Sequence, residues 1–488
     1  MATVTQVREA MAGGAMPPAK THSHNLLMKW LAVLVPGAFL YFVFLPGLTV
    51  NQRHLLAIFV ATIIGLVSRP VAMGLVAFVG MSLVAVTRTL PTSNILSGFS
   101  NPAVWLIFCA FIFARAITST RLGARIAYLS IRRFGQSSLS LGYSITAADL
   151  VLAPFVPSDT ARGGGIIYPI VRSVATAFDS KPGTTAKRLG SYLVLVGFHS
   201  TYVTSAMFLT GMAANSVIAE FADNLAHVDL TWMRWMIGAS IPGVLTLSLI
   251  PYLLYLVAPP IVRNTAPVRD LATSELRRMG PISHQERRLI VIMLAVMAGW
   301  ITSPWHGISS SVVAIAGVSA ILLGQVLQWD ELLSESRAWD ALIWFGAILM
   351  MAEALQKQGV IHIVSGAIFA HIQGWAWMFS FAALAISYLY IHYGFASMTA
   401  QILALYPGFL ATALAAGVPP MLAALVFGYF SNLNAGITHY GTGSAPVYFG
   451  EGFVALGEWW KLGFIVSLVN LLIWLGLGMT WWKLLGWW

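Results

Sequence analysis

Ser158-Asp159-Thr160-Ala161 is echoed 239 positions later by Ser397-Met398-Thr399-Ala400, and both strings interrupt apolar sequence. The register extends further. Thr204-Ser205-Ala206 projects by the same 239 onto Gly443-Ser444-Ala445, and Ala114-Arg115-Ala116 pairs with Ala352-Glu353-Ala354 at 238. The chain reads as two related halves, each with a hydroxyl-rich break in a membrane segment. That pattern belongs to secondary transporters whose site lies between two repeats.

Composition supports a membrane setting. Of 488 residues, 58% are hydrophobic and 9% charged, with a mean hydropathy of +0.79; soluble chains carry about 25% charged residues. No soluble fold of this size could bury so much apolar sequence. The chain must cross the bilayer repeatedly as helices, which satisfy their own backbone groups. Runs such as 30–48, 289–300 and 465–477 lack the alternation of a β-barrel. The net charge of +10 fits basic cytoplasmic loops better than nucleic-acid binding. The single cysteine, Cys109, excludes an internal disulfide framework.

Residues 1–25 are polar without an apolar h-region, which predicts a disordered cytoplasmic tail and no cleavable secretory signal. A first half over 26–258 and a second over 289–488 flank a polar linker, 259–288. The linker's arginines (263, 269, 277, 278, 287, 288) outnumber its acids and place it in the cytoplasm. Spans are expected near 30–48, 53–68, 71–88, 138–157, 163–178, 189–217 and 232–258. After the linker they fall near 289–303, 308–328, 362–391, 403–415, 420–436, 444–456 and 459–482. The segment 103–118 reads as half of a re-entrant hairpin or a short span, and 341–357 is a short piece. The C-terminal tryptophans, Trp481, Trp482, Trp487 and Trp488, read as an interfacial anchor. These residues leave parallel and inverted repeats both open, with hairpins favouring inversion.

The first interruption runs Pro154-Phe155-Val156-Pro157-Ser158-Asp159-Thr160-Ala161-Arg162-Gly163-Gly164-Gly165. Prolines and glycines unwind the helix there, and irregular backbone at membrane depth is tolerated only inside protein or beside a water cavity. Freed amides and hydroxyls can bind an anion; the alternative is a surface loop. Arg162 could grip a carboxylate bidentately or simply neutralise Asp159. The second interruption, His392 to Gln401, has one helix breaker, Gly394, and gains its weight from matching the first. A third polar run, Ser431 to Ser444, could set Asn432, Thr438, His439 and Thr442 around a carboxylate, or be a surface loop. His439 could hydrogen-bond the anion when neutral and pair with it when protonated, or be structural. Arg115, Glu353, Asp149 and Glu451 read as helix-end residues reaching the interface. The motifs HExxH, GxSxG and the Walker loop are absent, so no enzyme is expected.

These strings resemble the divalent anion:sodium symporter family, whose two Ser-Asn-Thr signatures, one per inverted repeat, match Ser158-Asp159-Thr160 and Ser397-Met398-Thr399. Asn101-Pro102-Ala103-Val104-Trp105, Ile166-Ile167-Tyr168-Pro169, Met350-Met351-Ala352-Glu353-Ala354 and Thr438-His439-Tyr440-Gly441-Thr442-Gly443 are similar to its exchanger branch of citrate/succinate antiporters and 2-oxoglutarate/malate translocators. The resemblance implies an all-α polytopic membrane protein: about eleven transmembrane helices plus two re-entrant hairpins in two inverted repeats. It also implies a homodimer in a bacterial inner membrane, working by an elevator motion on di- and tricarboxylates. The substrate site it implies is Ser158, Asp159, Thr160, Arg162, Ser397, Met398, Thr399, Thr438, His439 and Thr442. In that branch fixed basic residues, here Arg162 and His439, stand in for sodium; a Na+ coupling ion is the alternative, and no other cofactor is expected. The expected partners are carboxylate anions and membrane lipid. Asp159 and Met398 depart from the signature asparagines, so Asp159 must be protonated, paired with Arg162 or turned toward a cation. Exchange is the first reading. Sodium- or proton-coupled symport is the second, and an anion channel the third.

Overall fold

The computed structural model describes residues 22–42, 48–68, 70–361, 363, 366 and 374–488. Most of the expected tail, and residues 362, 364–365 and 367–373 of an expected span, lie outside them. The chain is helical throughout the described residues, as backbone in lipid must be. It opens with α1 (His22–Phe42), which takes in the end of the expected tail, then α2 (Val50–Ser68), α3 (Met73–Val86) and α4 (Pro102–Ser119). Asn101 caps α4, accepting the Ala103 N–H at 2.8 Å, with Pro102 at the first helical position. The 103–118 piece is thus one uninterrupted helix rather than half a hairpin.

After an amphipathic helix, α5 (Leu122–Phe134), come the arms α6 (Ser138–Leu152) and α7 (Tyr168–Ala177). They were expected as two spans but form one hairpin. The Ser138 N–H donates to Arg263 O, and just past α7 Lys187 O and Arg188 O accept from Ile261 and Val262. Entry and exit are therefore tied to one short stretch of linker, on one side. The expected span 189–217 is two helices, α8 (Gly190–Met207) and α9 (Ala213–Ala226), separated by a break. The α10 helix (Trp232–Val257) closes the first half, and the linker carries α11 (Val268–Met279).

The second half follows the same plan. After α12 (His284–Ile301), α13 (Ser310–Leu323) and α14 (Ser336–Lys357), a hairpin of α15 (Trp377–Tyr390) and α16 (Met398–Ala415) keeps the 239 register of the first. Tyr388 pairs with Ser431 at 2.8 Å, and the Tyr406 hydroxyl donates to Ala424 O. The incoming arm thus runs beside α17 (Pro420–Leu433) and the returning arm antiparallel to it. A long break leads to α18 (Ala445–Gly450), far shorter than the expected span, and then to the last helix, α19 (Leu456–Leu484). The 239 offset does not survive beyond the hairpins: Thr204-Ser205-Ala206 lies inside α8, whereas Gly443-Ser444 belongs to the second break.

Five of these helices, α4, α10, α14, α16 and α19, are long and apolar enough to cross a membrane alone. Large apolar side chains such as Phe39, Leu75, Val244, Leu294 and Leu472 are exposed outward, where lipid is the solvent. Inside, α8 is buried along its whole length and α17 from Leu422 onward. One packed group joins α6, α7, α10 and α17 around α8, with α15 and α16 on α17; another joins α2, α3, α4 and α13 with α14. The C-terminal tryptophans take part in this packing: Trp482 is buried and donates to Gly238 O at 2.8 Å.

The linker is held by a buried ion pair. Arg125 of α5 meets Glu286 at 2.6 and 3.1 Å and also donates to Gly280 O, while Glu286 accepts from the Ser283 N–H in a capping box. Glu286→Gln keeps the shape and removes the charge. It is expected to lower stability by about 1–3 kcal/mol, read as an earlier thermal transition in detergent; an unchanged transition would assign the tie no energetic role.

Candidate functional site

Each hairpin turns at one of the two polar strings, and the serine has the same task in both. Ser158 accepts the Ala161 N–H at 3.2 Å and Ser397 accepts the Ala400 N–H at 3.4 Å. Each caps the start of a returning arm, so unpaired helix N–H groups and their positive potential gather at both tips. Thr160 is exposed, Ser158, Ser397 and Thr399 are half-buried, and Met398 is buried.

Arg162 is fully buried and its donors are all taken within the protein. Nε meets both oxygens of Asp149 at 3.2 Å; Nη1 donates to Val156 O and Gly211 O; Nη2 donates to Thr201 O, Thr204 Oγ1 and Ser205 Oγ. A guanidinium has five N–H donors, so none is left for an incoming carboxylate in this state. The expected partner was Asp159; the actual one is Asp149, itself fully buried rather than at an interface. Thr201 and Thr204 donate the remaining bonds to Asp149. The network ties the first hairpin to the first break, as does Ala213 N–H to Pro157 O at 2.8 Å. A charged residue in the apolar α6 run was the available sequence signal for Asp149.

Asp159 does not pair with Arg162. Its Oδ2 accepts from Thr442 Oγ1 and, at 2.8 Å, from Ser444 Oγ; its Oδ1 has only Thr160 Oγ1, at 3.5 Å. No cationic side chain pairs with it among the described residues. This carboxylate joins the first hairpin to the second break, and so one half of the chain to the other. The contact needs a glycine, because a Cβ on Gly443 would overlap Thr160 Oγ1. Ser444 was not among the expected site residues.

The second break, Asn434–Ser444, is buried except around His439, Tyr440 and Gly443, and is not a surface loop. His392 and Gln401 hold it against the second hairpin: His392 Nε2 meets Gly441 O at 2.9 Å, and Gln401 Oε1 accepts from Asn434 Nδ2 at 2.9 Å. Neither was singled out from sequence. Asn432 Nδ2 donates to Asn215 Oδ1 at 2.9 Å, joining the two broken helices. His439 turns into an aromatic shelf, its Nδ1 accepting the Trp460 Nε1–H at 3.1 Å with Phe449 at 4.8 Å between ring centres. Three buried oxygens near the break have no hydrogen-bond partner among the described residues: Asn432 Oδ1, Asn434 Oδ1 and Thr438 Oγ1. The structure thus brings together Ser158, Asp159, Thr160, Thr442 and Ser444. It ties Ser397–Thr399 to the same break through Gln401, and it sets Arg162 behind the first tip and His439 on an outer shelf.

A cavity of about 690 Å³ lies elsewhere, between α9, the start of α10 and residues 303–311. Its charged lining is Glu220, Asp223 and Asp229 against Arg234, which repels anions. It reaches the first break only at Leu209, so the hairpin tips remain the better candidate site.

The family model described as the sodium:sulfate symporter transmembrane region matches residues 24–488. The chain belongs to this family, the divalent anion:sodium symporters. YflS of Bacillus subtilis, named for malate transport, is 43% identical over 464 residues, covering 95% of this chain and 97% of that one. Dicarboxylate transporter 1 of Arabidopsis thaliana chloroplasts is also 43% identical, over 94% of this chain and 83% of its own length. This symporter-family chain is therefore a multi-pass membrane transporter and not an enzyme. Two solved structures share the fold: the YdaH transporter of Alcanivorax borkumensis (TM-score 0.56, 17% identity, 96% and 99% covered) and MtrF of Neisseria gonorrhoeae (TM-score 0.54, 12% identity, 98% and 97% covered).

Proposed function

We propose that the chain exchanges di- or tricarboxylates across a bacterial inner membrane by alternating access. The observation that carries this reading is the meeting of two capped hairpin tips with buried, broken helices, joined across the halves by Asp159, Thr442 and Ser444. Hydroxyls and helix N-termini at membrane depth suit an anion, and the full-length relatives are named for dicarboxylates and malate. We assign the anion to Ser158, Thr160, Ser397 and Thr399, with Thr442 holding Asp159 beside it, Met398 as apolar floor, Thr438 and His439 at the margin, and Arg162 as the buried support. Inverted repeats are supported by the path of the chain. From the start of α4 to the start of its counterpart α14 it crosses through α4, α8–α9, α10, α12 and α13; an odd number of crossings reverses orientation. An elevator motion is supported by two packed groups, with both hairpins in one, and the other would supply the homodimer contact.

A second reading, sodium coupling, is favoured by the three unpartnered oxygens of Asn432, Asn434 and Thr438. Neutral oxygens of this kind suit a hard cation. One experiment separates the two. Proteoliposomes holding unlabelled dicarboxylate should take up labelled malate or succinate without sodium or proton gradients. Uptake into empty vesicles driven by sodium would overturn exchange in favour of coupling, and conductance without counter-substrate would indicate a channel.

A further inference from the structure

We propose that Asp159 is a specificity-determining residue that disfavours a fully ionised carboxylate at its end of the site and favours an anion presenting a hydrogen-bond donor there, such as a hydroxy acid. The inference rests on the reading of the chain as a dicarboxylate transporter. Asp159 sits at the hairpin tip with its Oδ2 already filled by the Thr442 and Ser444 hydroxyls. Those two hydroxyls, in a break that the other half contributes, are donors an incoming carboxylate would otherwise use. The chain has placed a carboxylate of its own in that position.

Two consequences follow. First, no cationic side chain pairs with Asp159 among the described residues: Arg162, three residues on, is committed to Asp149 and to protein carbonyls and hydroxyls. In surroundings of low dielectric, a second ionised carboxylate close to the first is strongly disfavoured. Second, Oδ1 has a single contact, Thr160 Oγ1 at the long distance of 3.5 Å. An ionised carboxylate oxygen accepts more than one hydrogen bond, so Oδ1 retains capacity for a donor. A substrate hydroxyl satisfies it, and a bare dianion does not. Selection here works by an unfavourable contact with the wrong anion as well as a favourable one with the right anion.

The test is counterflow in proteoliposomes with L-malate and succinate, which differ by one hydroxyl, using the wild type and Asp159→Asn. The wild type should show a KM for L-malate about tenfold below that for succinate, the size of one hydrogen bond to a charged group. Asp159→Asn should bring the two values together, mainly by lowering the succinate KM. A wild-type ratio near one, or a ratio that Asp159→Asn leaves unchanged, overturns the proposal. A role confined to joining the halves would change both substrates alike. If Asp159→Asn does not yield folded protein, the ratio of malate to succinate concentrations that give equal thermal stabilisation of the wild type decides the matter in the same direction. Absence of both transport activities in the wild type would instead overturn the dicarboxylate reading itself.

Discussion

Arg162→Ala is expected to destabilise the protein by about 3–5 kcal/mol, because it leaves the Asp149 carboxylate buried and uncompensated. It also strips donors from Val156 O, Gly211 O and Thr201 O, which lie where the first hairpin meets the first break. Transport should be lost together with the folded state, seen as a low or absent thermal transition and poor recovery in detergent. Asp149→Ala should behave alike, stranding the guanidinium. The double variant Asp149→Leu/Arg162→Met should recover part of the loss, since an apolar pair of similar volume often replaces a buried ion pair without penalty. Recovery will be incomplete because Val156 O and Gly211 O stay without their Nη1 donor, whereas Thr201 O keeps the Thr204 and Ser205 hydroxyls. An Arg162→Ala protein that melts like the wild type and lacks only transport would return Arg162 to direct contact with the anion.

Gly463→Ala in α19 is expected to abolish transport and lower stability by about 1–3 kcal/mol, the cost of forcing extra volume into a packed contact. The added Cβ would overlap the carbonyl oxygen of Gly436 and stand 3.3 Å from the carbonyl carbon of Gly436 and from the Ile437 Cα. All three are backbone atoms of the second break. Small residues allow such close helix approach in membranes, and here the approach fixes the path of the segment that carries Thr438, Thr442 and Ser444. Gly457→Ala is the control in the same helix: nothing lies within 4 Å of its Cβ, and alanine is the better helix former. It should be neutral or slightly stabilising. Equal loss in both variants would show that the contact of Gly463 with the break is not what the substitution disturbs.

Much of the architecture was legible because its causes are local. Apolar composition compels helices, and proline, glycine and a capping serine mark where a helix must stop and restart. The strings at 158 and 397 therefore located both hairpin tips, even though 138–157 and 163–178 read as separate spans and 103–118 as either half a hairpin or a short span. Length alone cannot distinguish a hairpin arm from a short span. The break between α8 and α9 escaped notice for a different reason. Phe208-Leu209-Thr210-Gly211-Met212 is apolar enough to continue a helix, and only packing around Gly211 shows that it does not.

By itself the sequence determined that the solvent is lipid and that the chain has two related halves, each interrupted by a hydroxyl-bearing string. Only the tertiary structure decided which charges meet. Three residues apart on a regular helix, Asp159 and Arg162 would share a face. The returning arm instead begins with a wide turn over Thr160–Ile167, where Tyr168 N–H reaches back to Gly163 O. That turn leaves Arg162 beside Asp149 of the incoming arm and Asp159 beside hydroxyls from the other half. Buried polar groups must find partners wherever packing brings them, and for residues so far apart in the chain no local rule states where that will be.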